Sequence, residues 1–133
     1  MTFRYARHTN NLEEISRFYH DFLGLEILGE FKDHDNYNGL FFGKEGLDWH
    51  LEFTSSDLEA IHKPNADDLL VFYLDFEEEK EAMREKASKM NYEIITSENP
   101  YWQRNGIEVK DPDGFGVILT TKLKLQPIFY RWI

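Results

Sequence analysis

The sequence predicts an α+β fold of two β-α-β-β-β modules in tandem. Two observations carry that expectation: the order strand, helix, three strands occurs twice, and equivalent points recur at a near-constant offset. Asn10 and Asp75, each at the start of a helical pattern, are 65 residues apart, and the turn glycines Gly46 and Gly114 are 68 apart. A third observation bounds the answer: 133 residues suit one domain built from two small halves that share a core.

The first element, residues 3–9, is rich in aromatic and β-branched types and too short for a helix, so it reads as a strand. From Leu12 the apolar residues fall at 12, 15, 18, 19, 22 and 23, one face of a helix that Gly24 stops, with Asn10 and Glu13 as its capping pair. Residues 25–31, 40–42 and 49–54 are short apolar runs separated by turn-forming clusters, hence three strands. The first module spans residues 1–55, and the polar stretch 56–68 with Pro64-Asn65 is a linker. The second module, 69–121, opens with the apolar strand 69–74. A helix capped by Asp75 follows, with Phe76, Met83, Ala87 and Met90 as its apolar face. Strands over 92–96, 106–109 and 115–121 complete it, the last two joined by the turn Asp111-Pro112-Asp113-Gly114. The tail, 122–133, ends in Phe129-Tyr130-Arg131-Trp132-Ile133, a bulky run expected to dock on its own domain or on a second subunit.

Composition narrows the function. Lys and Arg number 15 against 25 Asp and Glu, a net charge of −10 that repels nucleic-acid backbones and anionic membranes. With 41% hydrophobic and 16% aromatic residues the chain can bury a bulky core. The absence of cysteine removes disulfides, thiolate metal sites and a cysteine nucleophile. No apolar stretch is long enough for a membrane helix or a signal peptide, so a cytoplasmic protein is expected. There is no Gly-x-Ser-x-Gly, no Gly-x-Gly-x-x-Gly and no Walker sequence. The run Glu77-Glu78-Glu79-Lys80-Glu81 reads as a solvated helix face, and His20, His34 and His62 as surface residues.

Three signatures in this order and spacing resemble the vicinal oxygen chelate superfamily of glyoxalase I, bleomycin and fosfomycin resistance proteins and extradiol dioxygenases. They are Phe18-Tyr19-His20-Asp21-Phe22-Leu23-Gly24, the strand Trp49-His50-Leu51-Glu52-Phe53, and the turn Asp111-Pro112-Asp113-Gly114. The segment Asn99-Pro100-Tyr101-Trp102 before Gly106 is similar to one bacterial branch of that superfamily. The resemblance implies two half-barrel sheets around a central cavity, which in many members holds a divalent metal between four protein ligands. It places those four positions on Arg4, Glu52, Leu69 (or Asp68) and Ile118.

Arginine has no lone pair to give a metal, and leucine and isoleucine have none either. One carboxylate does not hold a divalent ion against water. The expectation is therefore a metal-free binding protein for a small organic molecule, in which Arg4 supplies the missing positive charge and pairs with Glu52, or else turns outward to solvent. No cofactor is expected, and a divalent metal only through an atypical set such as His8, His50 and Glu52, which the parallel first and last strands of the module would hold apart. The candidate ligand-binding residues are Arg4, His8, Trp49, Glu52, Tyr101 and Trp102, the two last being either core packing or a flat wall for a ligand ring. The alternative is a glyoxalase-like isomerase or lyase with Glu52 as general base and Arg4 steadying an enediolate. A homodimer is the expected assembly, with a cavity built within one chain or across two.

Overall fold

The computed structural model describes residues 1–121, so the tail 122–133 and its docking lie outside the described residues. Contacts divide the described residues into two units: Met1–Lys63 with Asp111–Asp113, and Pro64–Lys110 with 114–121.

In the first unit β1 (Phe3–His8) is followed by α1 (Leu12–Ser16), a π-helical stretch (Arg17–Phe22), β2 (Glu26–His34), β3 (Tyr37–Gly43) and β4 (Trp49–Ser55). The sheet order is β1-β4-β3-β2, with β1 parallel to β4 and the other pairs antiparallel. The helix caps one residue later than expected: Asn11, not Asn10, accepts from the backbone N–H of Glu14 at 3.1 Å. Asn10 instead makes two hydrogen bonds with the backbone of Ala60. The expected continuous α-helix also widens into π geometry from Arg17, where Leu23 N–H reaches back five residues to Phe18 O at 2.9 Å. Gly24, at φ +80°, ends it as anticipated.

Ile15, Phe18, Tyr19 and Phe22 from this helix are fully buried, as are Phe42 and Phe53 from the sheet. The Tyr19 ring lies 4.9 Å from that of Phe53 and 6.1 Å from that of Phe42. Each such side chain contributes roughly 1.5–3 kcal/mol by leaving water. Because strand side chains alternate, placing Phe42 and Phe53 against the helix sends Phe41, Glu52 and their neighbours to the opposite face.

The second unit repeats the topology: β5 (Leu69–Leu74), α2 (Glu77–Lys89), β6 (Ile94–Ile95), α3 (Pro100–Asn105), β7 (Gly106–Lys110) and β8 (Gly116–Thr121), in the order β5-β8-β7-β6 with β5 parallel to β8. Again the cap moves by one, from Asp75 to Phe76, so the offset of 65 between the two helix starts survives the correction. Phenylalanine has no oxygen to offer N–H groups; only the reciprocal bond forms, Glu79 accepting from Phe76 N–H at 2.9 Å. Phe76 is 64% exposed and does not belong to the apolar face of α2, whereas Ala87 is fully buried. The strand expected over 92–96 shrinks to two residues, because Asn91 turns at φ +63° and a helix follows soon after. That helix, α3, is an element the hydrophobic pattern does not announce: Pro100 takes the first helical position and Asn99 caps it by accepting from Tyr101 N–H at 2.9 Å.

Candidate functional site

The face of the first sheet that points away from its helix gathers the polar candidates. Parallel pairing sets Arg4 beside His50, Ala6 beside Glu52 and His8 beside Thr54, while Phe41 flanks Glu52 from the other side. Arg4 Nε donates to His50 Nε2 at 2.9 Å, and Arg4 Nη1 stands 3.5 Å from Glu52 Oε1. The guanidinium carbon lies 5.2 Å from the centroid of the Phe41 ring, the arrangement of a cation over an aromatic face. The Arg4 side chain is 50% exposed and that of Glu52 only 15%. Arg4 and Glu52 thus meet as a pair, and the guanidinium still faces solvent.

His8 lies on the same face at the other end. A carbonyl can only accept, so in the neutral ring Nε2 donates to Leu58 O at 3.1 Å, and Nδ1 accepts from Thr54 Oγ1 at 2.8 Å. Ser56 Oγ is also 3.1 Å from Nε2. Four residues of strand separate the levels of His8 and His50, about 13 Å at the usual rise per residue. They do not share a centre with Glu52. Among the described residues no group of three or more His, Asp or Glu is placed to hold a metal ion. His62, expected at the surface, is half-buried and bonds His8 O at 2.7 Å; His20 bonds Leu25 O at 2.7 Å, and His34 is exposed. Trp49 alternates onto the helix side with Leu51 and Phe53, away from Arg4 and Glu52.

In the second unit α3 packs over β7 and β8. Trp102 sits against Gly106, and a Cβ at Gly106 would meet Ile118 Cγ2 at 2.9 Å and the Trp102 ring at 3.5 Å. Ile118 is fully buried, so this position offers neither a donor atom nor an accessible surface. Leu69, in the remaining position, is apolar too, and its Cδ2 lies 2.6 Å from where a Cβ on Gly116 would stand. Strand register favours Leu69 over Asp68 for that position, since Leu69 pairs with Gly116, two before Ile118, as Arg4 pairs with His50, two before Glu52; with Leu69 there, Glu52 alone of the four carries a donor, and it faces Arg4. These residues do not fit a divalent ion.

Two polar clusters emerge only in three dimensions. Arg7, on the helix side of β1, is almost fully buried; its Nη1 donates to Asp111 Oδ2 and, at 3.1 Å, to Asp113 Oδ2. Tyr19 Oη donates to the same Asp111 oxygen at 2.6 Å, and Thr9 Oγ1 donates to Asp113 Oδ1 at 2.8 Å. Burial opposes the charge on Arg7, but the neighbouring Tyr19 and Asp111 oxygens outweigh it and the guanidinium is held above its ordinary value. Tyr19 is also pushed well up, by burial first and by the Asp111 charge next, with Arg7 acting against both. The second cluster is Glu108, 2% exposed in β7, whose Oε1 accepts from Ser97 Oγ at 2.7 Å. The signals for them in the sequence are an arginine inside the first strand run and an acid inside the run 106–109.

Comparison with known proteins bears on the fold and the family. The structure superposes on that of a glyoxalase I from Leishmania major with a TM-score of 0.71 at 18% identity, covering 89% of this chain and 84% of that one. Its fold is therefore that of the glyoxalase/bleomycin resistance group. Within it, residues 3–54 match the YycE-like N-terminal domain and residues 67–121 the YycE-like C-terminal domain. The chain is 42% identical over 116 residues to the uncharacterized protein YycE of Bacillus subtilis (strain 168), covering 86% of this chain and 84% of the relative. It also resembles the crystal structure of a YycE protein of unknown function from Bacillus subtilis, with a TM-score of 0.86, 38% identity and coverage of 95% and 93%. The chain belongs to the YycE-like family.

Proposed function

We propose that this chain binds a small organic molecule on the Arg4 face of its first sheet, with a fixed guanidinium serving where metal-dependent members of the superfamily place a divalent ion. One observation carries the reading: Arg4 is laid on Phe41 and tied by His50 and Glu52, at strand positions the resemblance assigns to metal ligands, with its outer edge open to solvent. An arginine that merely solubilised the surface would not need three partners to hold it flat. Glu52 then serves as the anionic partner of Arg4, and His8 marks the far end of the same face. Binding rather than turnover fits the donor set, since one carboxylate paired with arginine cannot hold an ion to polarise vicinal oxygens.

Elemental analysis and thermal unfolding of natively purified protein test this. Neither Ni, Zn, Mn nor Fe is expected at stoichiometric level, and added divalent ions should leave the unfolding midpoint where it was. The protein should be silent on methylglyoxal–thiol adducts. Retained stoichiometric metal would overturn the metal-free reading. Turnover that Glu52→Gln abolishes would replace binding with a glyoxalase-like isomerase or lyase.

A further inference from the structure

The hydrogen bonds of Arg4 narrow the chemistry of the ligand, and the ligand class they point to rests on the binding function proposed above. Of the five N–H groups of a guanidinium, the one on Nε is spent on His50. Among the described residues neither terminal nitrogen makes a hydrogen bond; the 3.5 Å approach of Nη1 to Glu52 is a charge contact and not a hydrogen bond of ordinary length. The side edge of the fork is thus used, and among the described residues the end formed by Nη1 and Nη2 carries the Glu52 charge contact and no hydrogen bond. That end presents two roughly parallel N–H vectors in one plane, the geometry that a carboxylate meets with its two oxygens.

The floor beside it is apolar. Phe41 lies under the guanidinium and its ring centroid is 5.9 Å from that of Phe31, which covers Gly39 on the neighbouring strand. Both phenylalanines are half-buried, leaving ring surface exposed on this face. We infer that the ligand is an organic monocarboxylate with a flat apolar body, its carboxylate on the Nη1/Nη2 end of Arg4 and its body on the Phe41 and Phe31 rings. The net charge of −10 does not forbid this, because charges more than about 10 Å away are largely screened at physiological salt while the guanidinium acts at contact distance. Glu52 competes with the ligand for the same cation. It keeps Arg4 in place when the face is empty and weakens the capture of an anion.

Titration of the full chain with benzoate, benzamide and inorganic phosphate, followed by the Arg4 Nε–H signal and the backbone signals of β1, β3 and β4 in ¹H–¹⁵N NMR, tests the inference. Benzoate should shift these signals saturably, and benzamide and phosphate should bind at least about tenfold more weakly. Arg4→Gln, checked for an unchanged backbone spectrum elsewhere, should weaken benzoate at least about tenfold. Glu52→Gln should tighten it about two- to fivefold, the opposite sign, which a merely structural role for either residue would not produce. Equal binding of benzoate and benzamide would overturn the carboxylate assignment and leave the binding face standing. Tighter binding of phosphate than of benzoate, or no response to benzoate, would also overturn it, and silence toward all three together with a broad panel of small organic molecules would overturn the proposed binding function itself.

Discussion

Tyr19→Phe is the cleanest perturbation of the buried network in the first unit, because it removes one oxygen and keeps the ring. The Tyr19 ring packs against Phe18 and Phe53 at 4.9 Å each, and those contacts survive the substitution. What disappears is a hydrogen bond of 2.6 Å to Asp111, whose side chain is fully shielded from solvent. A buried hydrogen bond to a charged group contributes roughly 1.5–3 kcal/mol. For a chain of this length the unfolding entropy makes 1 kcal/mol equal to about 3–4 °C, so the midpoint should fall by about 5–11 °C. Asp111→Asn should do more harm, about 3–5 kcal/mol, because it takes a carboxylate charge away from the buried Arg7 guanidinium. The two changes should be less than additive, since each removes the same Tyr19–Asp111 bond. Thermal and urea unfolding by circular dichroism gives all three values. A loss below about 0.5 kcal/mol for Tyr19→Phe, or strict additivity in the double variant, would refute the assignment of Asp111 as the shared acceptor.

Three further outcomes concern the second unit. Gly106→Ala should destabilise by about 1–3 kcal/mol, because the new Cβ would press on Ile118 Cγ2 at 2.9 Å and on Leu119 O at 3.2 Å; an unchanged urea midpoint would mean that Gly106 does not lie this close to β8. Ser97→Ala removes the hydroxyl that donates to buried Glu108, and the loss should be about 1–3 kcal/mol by the same unfolding assay. Glu77 is held below the ordinary carboxylate range, first by its hydrogen bond from Lys80 at 2.7 Å and also by one from Thr121. Its stabilising contribution is therefore present above the ordinary value and lost as pH falls through the lowered one. Glu77→Gln should be less stable than the wild type at pH 7, with the difference shrinking as the medium is acidified, and a difference that stays constant on acidification would contradict the pairing.

The fold was legible because hydrophobic period and turn chemistry are local, and both modules state them separately. The errors fell where one residue type was asked to decide alone. Asn10 and Asn11 are equally good caps on paper, and the second takes the role because the first is needed by Ala60. Pro100 signals a turn as readily as a helix start, and only the packing of Trp102 on Gly106 decides for the helix. The candidate site was legible by a different route. Arg4 and Glu52 could be paired in advance because the resemblance fixed their strand positions, yet His50 and Phe41 could not, since holding a guanidinium flat depends on strand register. The signatures that led to the resemblance had another use. Tyr19 of the first and Asp111 of the last are hydrogen-bonded to each other inside the first unit, and Arg7 joins them. Two of the three motifs thus meet as structural partners on the helix side of the first unit, and their presence speaks for the fold and not for an activity. The third motif carries Glu52 to the opposite face of the sheet, beside Arg4, where this chain departs from the metal-ligand pattern.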